Sequence, residues 1–221
     1  NSGAATNLVM SAENKSKTWS VAAGGSVSTG RAAAEGAYAS NNGTNDTEAI
    51  VDKYETKNEQ GVVTYTRDSK INNANNISVT AKDTTVEKGI AGTIAVAAGQ
   101  NAMASIGGAV VYNNIGNGAA DNQKQTVKAQ LNNATITTLS GATIKTKATN
   151  EADFLGLALG GAVRAGGEKF GVSAEGSVAV TTDYMNTIAG MDYVNIDGST
   201  NTAGSKSSKV EVEALSTSDI T

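Results

Sequence analysis

Ile77-Ser-Val-Thr-Ala-Lys82, Thr143-Ile-Lys-Thr-Lys-Ala148 and Lys209-Val-Glu-Val-Glu-Ala214 share one pattern. Each alternates an apolar or small residue with a polar one and ends at or beside an alanine. A period of two marks a half-buried β-strand, because successive side chains point to opposite faces. The anchoring alanines, Ala81, Ala148 and Ala214, recur at a nearly constant interval of about 66 residues, the signature of an internal repeat. Thr126-Val-Lys-Ala-Gln-Leu131 alternates in the same way. The pattern predicts that Val127, Leu131, Ile144, Val178, Val180, Val210 and Val212 face a core. It places Lys128, Lys145, Glu211 and Glu213 in solvent.

Two more anchors recur in the same order. Ile71-Asn-Asn-Ala-Asn, Leu131-Asn-Asn-Ala-Thr and Val194-Asn-Ile-Asp-Gly each read as an aliphatic residue followed by a polar turn, at a slightly shorter interval than the alanines. Glu35-Gly-Ala-Tyr-Ala-Ser40, Gly107-Gly-Ala-Val-Val-Tyr112 and Glu175-Gly-Ser-Val-Ala-Val180 each read as a Gly/Ala strand. Their glycines, Gly36, Gly108 and Gly176, recur at an interval of about 70 residues. Residues 1–221 therefore read as one repetitive segment of about three degenerate units, near 18–88, 89–153 and 154–221.

Glycine inside a strand loses entropy and packing. Leu155-Gly-Leu-Ala-Leu-Gly-Gly161 carries three. Close approach of a neighbouring layer explains them, and a β-solenoid (β-helix), whose coils stack at strand spacing, supplies it. The expected fold is thus all-β and solenoidal. Each unit of ~66 residues divides into three coils of ~22, within the usual repeat sizes. About ten coils would make a rod roughly 45 to 50 Å long. The alternative is a tandem β-sandwich, which at roughly 70 residues and few aromatics would have a thin core.

Composition points the same way. The chain has 39% hydrophobic, 17% charged and 4% aromatic residues, with a net charge of −4, and no Pro, Cys or His. Absence of Pro suits unbroken ladders, and Thr, Val, Ile, Gly and Asn favour strands and turns over helices. A Cys-free chain is compatible with secretion. No signal-peptide pattern opens the sequence, which reads as a mature product or an excised segment. No basic patch suggests nucleic acid. Residues 89–120 carry no charge, but their Gly, Asn and Gln content makes a poor membrane helix. Aromatic girdles for a membrane barrel are absent. The segment is therefore not expected to insert in a membrane.

Chemistry-bearing groups are few. Without His or Cys, Ser–His and Cys–His nucleophiles are excluded and zinc loses its usual ligands. The remaining enzymatic option is a carboxylate pair. The candidates Asp46, Glu48 and Asp52 sit in a hydrophilic stretch and read as a solvated turn. Arginine is limited to Arg31, Arg67 and Arg164. Asp192, Asn195 and Asp197 could offer oxygens to calcium, but the spacing fits no calcium motif and the residues read as turn formers. No Gly-rich run ends in the phosphate-cradling Gly-Lys-Ser/Thr. Asn14, Asn42, Asn45, Asn76 and Asn133 open Asn-x-Ser/Thr sequons, as chance predicts in so Asn/Thr-rich a chain. No catalytic residue, metal or cofactor is expected, and the chain reads as a non-enzyme.

The stretch Gly171-Val-Ser-Ala-Glu-Gly-Ser-Val-Ala-Val-Thr181, with Ala189, Val194-Asn-Ile-Asp-Gly and Val210-Glu-Val-Glu-Ala-Leu-Ser, resembles the repeats of large secreted bacterial surface proteins. These are the filamentous-haemagglutinin-like and leukotoxin-like exoproteins and the passengers of type V secretion. The resemblance runs from about Trp19 to Ser216 and implies a β-helical stalk outside a Gram-negative-type envelope, outer-membrane-anchored or secreted. Insertions at 41–60, 116–125 and 198–208 are expected to project as loops that meet a host or neighbouring-cell surface. The alternative function is a self-assembling extracellular fibre subunit, joined end to end through strand edges.

Overall fold

A computed structural model describes residues 4–166, 171–198 and 206–221. The fold is all-β with mostly parallel sheets, and no α-helix occurs among the described residues. In chain order the strands are β1 (Thr6–Ser28), β2 (Ala32–Gly43), β3 (Asp46–Val51), β4 (Tyr54–Lys57), β5 (Val63–Arg67), β6 (Ser69–Ala98), β7 (Ala104–Ile115), β8 (Gln125–Ala165), β9 (Val172–Asp183), β10 (Met185–Asp197) and β11 (Lys209–Ile220). A 3-10 turn at Asp121–Gln123 precedes β8. The first sheet joins β1, β3, β6, β8, β10 and β11, and the second is β2-β7-β9. β4 and β5 form a separate antiparallel hairpin.

The register explains two of the three sequence anchors. Ala12, Ala81, Ala148 and Ala214 are successive neighbours across β1, β6, β8 and β11. Gly36, Gly108 and Gly176 are neighbours across β2, β7 and β9. The two longest ladder tracks pair each residue with its counterpart in the next repeat. The repeat spacing is therefore the offset between one layer, or circuit, of strands and the next, and no ladder among the described residues pairs positions about 22 apart. Circuits open at Asn7, Asn76 and Thr143, and β11 begins a fourth at Lys209. Four stacked strands rise only about 14 Å. This body is broad and short where the sequence predicted a rod roughly three times that length. The shorter coil estimate failed because periodicity gives the offset between like residues, while the number of corners within that offset depends on strand lengths.

The Asn-turn anchor is partly corrected. Asn73, Asn133 and Tyr193 all have positive φ, 54°, 47° and 51°, a left-handed conformation that Asn tolerates best. The third member is thus Met191-Asp-Tyr-Val194, not Val194-Asn-Ile-Asp-Gly. The Asn133 and Tyr193 kinks stack on each other, flanked by the pairs Asn132–Asp192 and Ala134–Val194, whereas the Asn73 kink lies beside Thr137. Ile71 lies beside Ile136, and Leu131 lies between Val51 and Met191.

Along β6 the inward positions define three core zones. Ile77, Val79 and Ala81 pack with Val127, Leu131, Ile136 and Ile144 in the main apolar cluster. Asp83, Thr85 and Glu87 follow, all buried. Gly89, Ala91, Thr93, Ala95 and Ala97 then face the second sheet across a gap filled by small residues. There the two sheets nearly touch. A Cβ at Gly107 would fall on the Gly161 carbonyl oxygen, and one at Gly160 would sit 3.0 Å from the Gly176 oxygen. Ser105 and Ser173 each donate a 2.7 Å hydroxyl bond across the gap, to the carbonyls of Ala95 and Ala162. The expected close layers are present, formed by paired sheets of one circuit.

The predicted faces hold for Val127, Leu131 and Ile144, which are fully buried. Val178 and Val180 point outward instead. Their β7 neighbours are Val110 and Tyr112, while the inward β7 residues Ala109 and Val111 neighbour Ser177 and Ala179. An apolar or small residue on both faces of β9 hid the true parity. Val210 and Val212 lie beside inward Ile144 and Thr146. They are half-exposed because β11 pairs β8 on one side and no described strand stacks on its other side. Lys128, Lys145 and Glu211 are only partly exposed, shielded by neighbouring side chains, whereas Glu213 is exposed.

Candidate interaction surface

The outer face of the first sheet changes character abruptly. Along its opening half, charges of opposite sign meet across strands: Lys82–Glu151 at 2.9 Å, Lys145–Glu211 at 3.4 Å and Lys147–Glu213 at 3.1 Å. The Lys209 ammonium, assisted by Lys145, holds the Glu211 carboxyl below the usual range. Trp19 marks the boundary, with the Lys17 ammonium 5.1 Å and the Lys88 ammonium 5.8 Å from its ring centre, within cation–π range. Beyond it the outward columns are Val21–Ile90–Leu157, Ala23–Gly92–Leu159, Gly25–Ile94–Gly161 and Val27–Val96–Val163, with no charge. On the opposite side of the same thin region, the second sheet presents Gly36–Gly108–Gly176 and Tyr38–Val110–Val178. Val27 is 78% exposed, Ile94 60% and Tyr38 63%. The polarity expected of a solvated strand face is thus inverted here, with small residues inside and large apolar residues outside.

The second surface element is the β4–β5 hairpin. It interrupts the first circuit between Val51 and Ser69, where the later circuits simply kink. Tyr54 and Tyr65 meet edge to face at 6.3 Å, and both are exposed. Asn58 closes the tip by accepting bonds from the Gln60 and Val62 amides at 3.1 and 2.9 Å, and Gly61 takes φ 78°. Asp52 fixes the root. Its carboxylate accepts bonds from the Asn133 side chain and the Lys53 amide, both at 2.7 Å, and these hold its pKa down. The expected insertion at 41–60 is therefore misplaced. Asn41, Thr47 and Ala49 are buried, and only 52–68 projects. Residues 116–125 form a loop with the 3-10 turn, although Gly116 and Gln125 are buried. Most of 198–208 lies outside the described residues; the Lys206 amide donates to the Ser140 hydroxyl at 2.8 Å, and its carbonyl accepts from the Gly141 amide at 3.0 Å.

The named carboxylates do not assemble into a catalytic pair. Asp46 accepts a bond from the Thr126 amide at 3.0 Å, Glu48 is exposed, and Asp52 is a hairpin anchor. Asp192, Asn195 and Asp197 are strung along β10 beside Asn132, Thr135 and Thr137. Among the described residues, no three acidic groups gather to hold a metal. Arg164 donates to the Ala102 carbonyl at 2.9 Å, the Arg31 carbonyl receives the Met103 amide, and Arg67 lies opposite Tyr54 in the hairpin. Several sequon amides are already engaged: Asn14 with Asp83 at 2.6 Å, Asn45 with Ser16 at 3.5 Å, and Asn133 with Asp52.

The sequence reading missed the buried polar zone. Asp83 accepts four side-chain bonds, from Asn14, Thr47, Thr85 and Gln125, at 2.6 to 3.1 Å. Asn41 donates to Asn113 at 2.9 Å, and Asn113 to the Leu155 carbonyl at 2.9 Å. Glu87 differs: neither carboxyl oxygen has a full hydrogen-bond partner. Burial drives its pKa up to about 7. The Asn114 backbone amide offsets part of this, while Asp183 adds to it. Burial likewise raises Asp183, which Ser218 partly compensates. The signal was parity: Asp83, Thr85 and Glu87 continue the inward register of Ile77, Val79 and Ala81. No family model, no curated protein and no solved structure matches this chain.

Proposed function

We propose that the chain is a β-solenoid segment serving as a rigid, non-enzymatic stalk of a bacterial cell-surface or secreted protein. On this reading the β4–β5 hairpin is its lateral contact element, meeting a host or neighbouring-cell surface. The observation that carries the reading is the in-register parallel stacking of strand tracks, in which each circuit lies on its counterpart in the next repeat. Such stacking adds about 4.8 Å of length per circuit and makes a spacer of repeating sequence. The interior side-chain ladders, such as Asn14–Asp83–Asn150, fix register from circuit to circuit. The exposed tyrosine pair gives the hairpin aromatic contact area with polar rims, a composition suited to recognition.

The end-to-end fibre reading fits less well. β11 stands one strand higher than β9 and β10, so a copy seated on β11 leaves an unfilled strand height beside it. The test removes residues 53–67, joins Asp52 to Asp68 through two glycines, and measures binding of the purified chain to bacterial and epithelial cell surfaces. Loss of binding with an unchanged circular dichroism spectrum supports the assignment. Undiminished binding by the shortened chain refutes the hairpin's role.

A further inference from the structure

We propose that Asn117 is a site of spontaneous covalent modification, where the loop between β7 and β8 converts to aspartate and isoaspartate while the rest of the fold stays intact. The chain has two Asn-Gly pairs, Asn42-Gly43 and Asn117-Gly118. In such a pair the glycine backbone nitrogen can attack the asparagine Cγ, because no side chain crowds it and its backbone turns freely. The new N–C bond closes a five-membered succinimide. The glycine amide proton passes to the departing carboxamide nitrogen, which leaves as ammonia. Water then adds hydroxyl to one ring carbonyl and returns a proton to the ring nitrogen. Opening at one carbonyl gives aspartate; opening at the other gives isoaspartate, whose backbone runs through the former side chain. Solvent water is the only co-reactant, and nothing is oxidised or reduced.

The fold treats the two pairs differently. Asn42 and Gly43 close β2, in ladder with Asn114 and Ile115 of β7. Extended backbone turns the following nitrogen away from the asparagine side chain, so the ring cannot close there. The Asn42 side-chain oxygen also accepts the Asn114 side-chain amide at 2.9 Å, and the Gly43 carbonyl accepts the Gly116 amide at 2.8 Å. Gly43 has a packing reason besides: a Cβ there would lie 2.8 Å from a Glu87 carboxyl oxygen. Asn117 and Gly118 lie outside the strands, and Asn117 is exposed. Gly118 is not in the left-handed region, and a Cβ on it would meet only the flexible side chain of Gln123. The fold therefore does not require glycine at 118, whereas ring closure exploits it. Both ends of the loop are pinned. The Gly116 amide holds the Gly43 carbonyl, and the Gln125 amide holds the Tyr184 carbonyl at 2.9 Å. The extra backbone atom of isoaspartate is thus absorbed between these anchors, where the Asn117 amide bond to the Gln123 carbonyl is the one remade.

Ageing the full chain at pH 8 in heavy-oxygen water, followed by tryptic mapping, tests the proposal. Fragments 32–53 and 89–124 carry one Asn-Gly pair each. In the folded chain, labelled aspartate and isoaspartate should accumulate at Asn117 at least about tenfold faster than at Asn42. In concentrated urea the two should react at similar rates, because no ladder then protects Asn42. Gly118→Ala should slow the reaction at Asn117 about tenfold with unchanged melting. The aged parent should keep its melting transition. Equal rates at the two sites in the folded chain overturn the proposal. So does an Asn117 that stays intact in the folded chain while it reacts in urea, or a difference between the sites that persists in urea. An aged chain that loses cooperative melting in step with isoaspartate formation also overturns it, because the loop then does not absorb the change.

Discussion

Replacing Glu87 by Gln should reveal a charge buried at a cost. Glu87 is 0% exposed, its oxygens lack full partners, and its neighbours on the adjoining strands are Thr18 and Phe154. Its pKa rises from 4.5 to about 7 in the fold, chiefly by desolvation. A raised carboxyl pKa means the native state binds the proton more tightly than the unfolded chain. The associated stability is fully present below pH 4.5 and is lost as pH climbs through about 7. A shift of about 2.5 units corresponds to about 3 kcal/mol. Gln keeps the shape and removes the charge, so Glu87→Gln should be near neutral at pH 4.5. At pH 8 it should stabilise the protein by up to about 3 kcal/mol. Denaturant titrations of parent and variant at pH 4.5, 6, 7 and 8 measure the difference, in which groups remote from Glu87 cancel while its repulsion with Asp183 is retained as part of the effect. A difference that stays flat with pH, or a variant less stable than the parent at pH 8, refutes the reasoning.

Other consequences follow from the register and the packing. Gly107→Ala should cost several kcal/mol, because the new Cβ collides with the Gly161 carbonyl; Gly176→Ala should change the denaturation midpoint little. Val79→Asp buries an unpaired charge and should cost several kcal/mol, whereas Val212→Asp, at a 53% exposed end position, should cost about 1 kcal/mol or less. Removing 53–67 should leave thermal melting nearly unchanged, whereas removing 41–60 takes away buried Asn41, Thr47 and Ala49 and should abolish the cooperative transition. Lys145→Cys with Glu211→Cys, paired across β8 and β11, should form a disulfide in air; Lys145→Cys with Gln123→Cys, partners only if the coils were short, should not.

The stacking was legible because like residues stack on each other. Ala81, Ala148 and Ala214 occupy one column, as do Gly36, Gly108 and Gly176, so the offset between like residues is the circuit length itself. What the sequence concealed is how many corners a circuit has. β8 runs 41 residues with only a kink near Asn133 and a turn at Gly141, and neither position carries a Pro that would announce a break. Face assignment succeeded where one side is plainly polar, as around Val127. It failed at Val178, because the two acids of the strand, Glu175 and Asp183, lie on the opposite side beside inward Gly107 and Ile115, so that side does not read as a core face. The polar core zone was hidden by the opposite bias: charged residues were assigned outward by type, although Asp83 and Glu87 keep the inward parity of Val79. The hairpin was placed too early in the chain because Asn41–Thr47 is hydrophilic in composition but engaged inside.

The three core zones divide the labour along each circuit. The apolar zone around Ile77, Leu131 and Ile144 supplies burial, worth about 25 cal/mol per Å², and it contains the large aliphatic side chains. The Gly/Ala zone can supply little of that, because its side chains remove almost no area from water. What holds the thin region together is backbone ladders and the Ser105 and Ser173 cross-bonds, each worth only about 1 kcal/mol net. Its large apolar side chains, Val27, Ile94 and Leu159 among them, point the wrong way to help. A region that keeps its hydrophobic residues outside forgoes stability as a monomer and recovers it only when another surface covers them. The thin region should therefore open at lower free energy than the Ile77 zone in native-state hydrogen exchange.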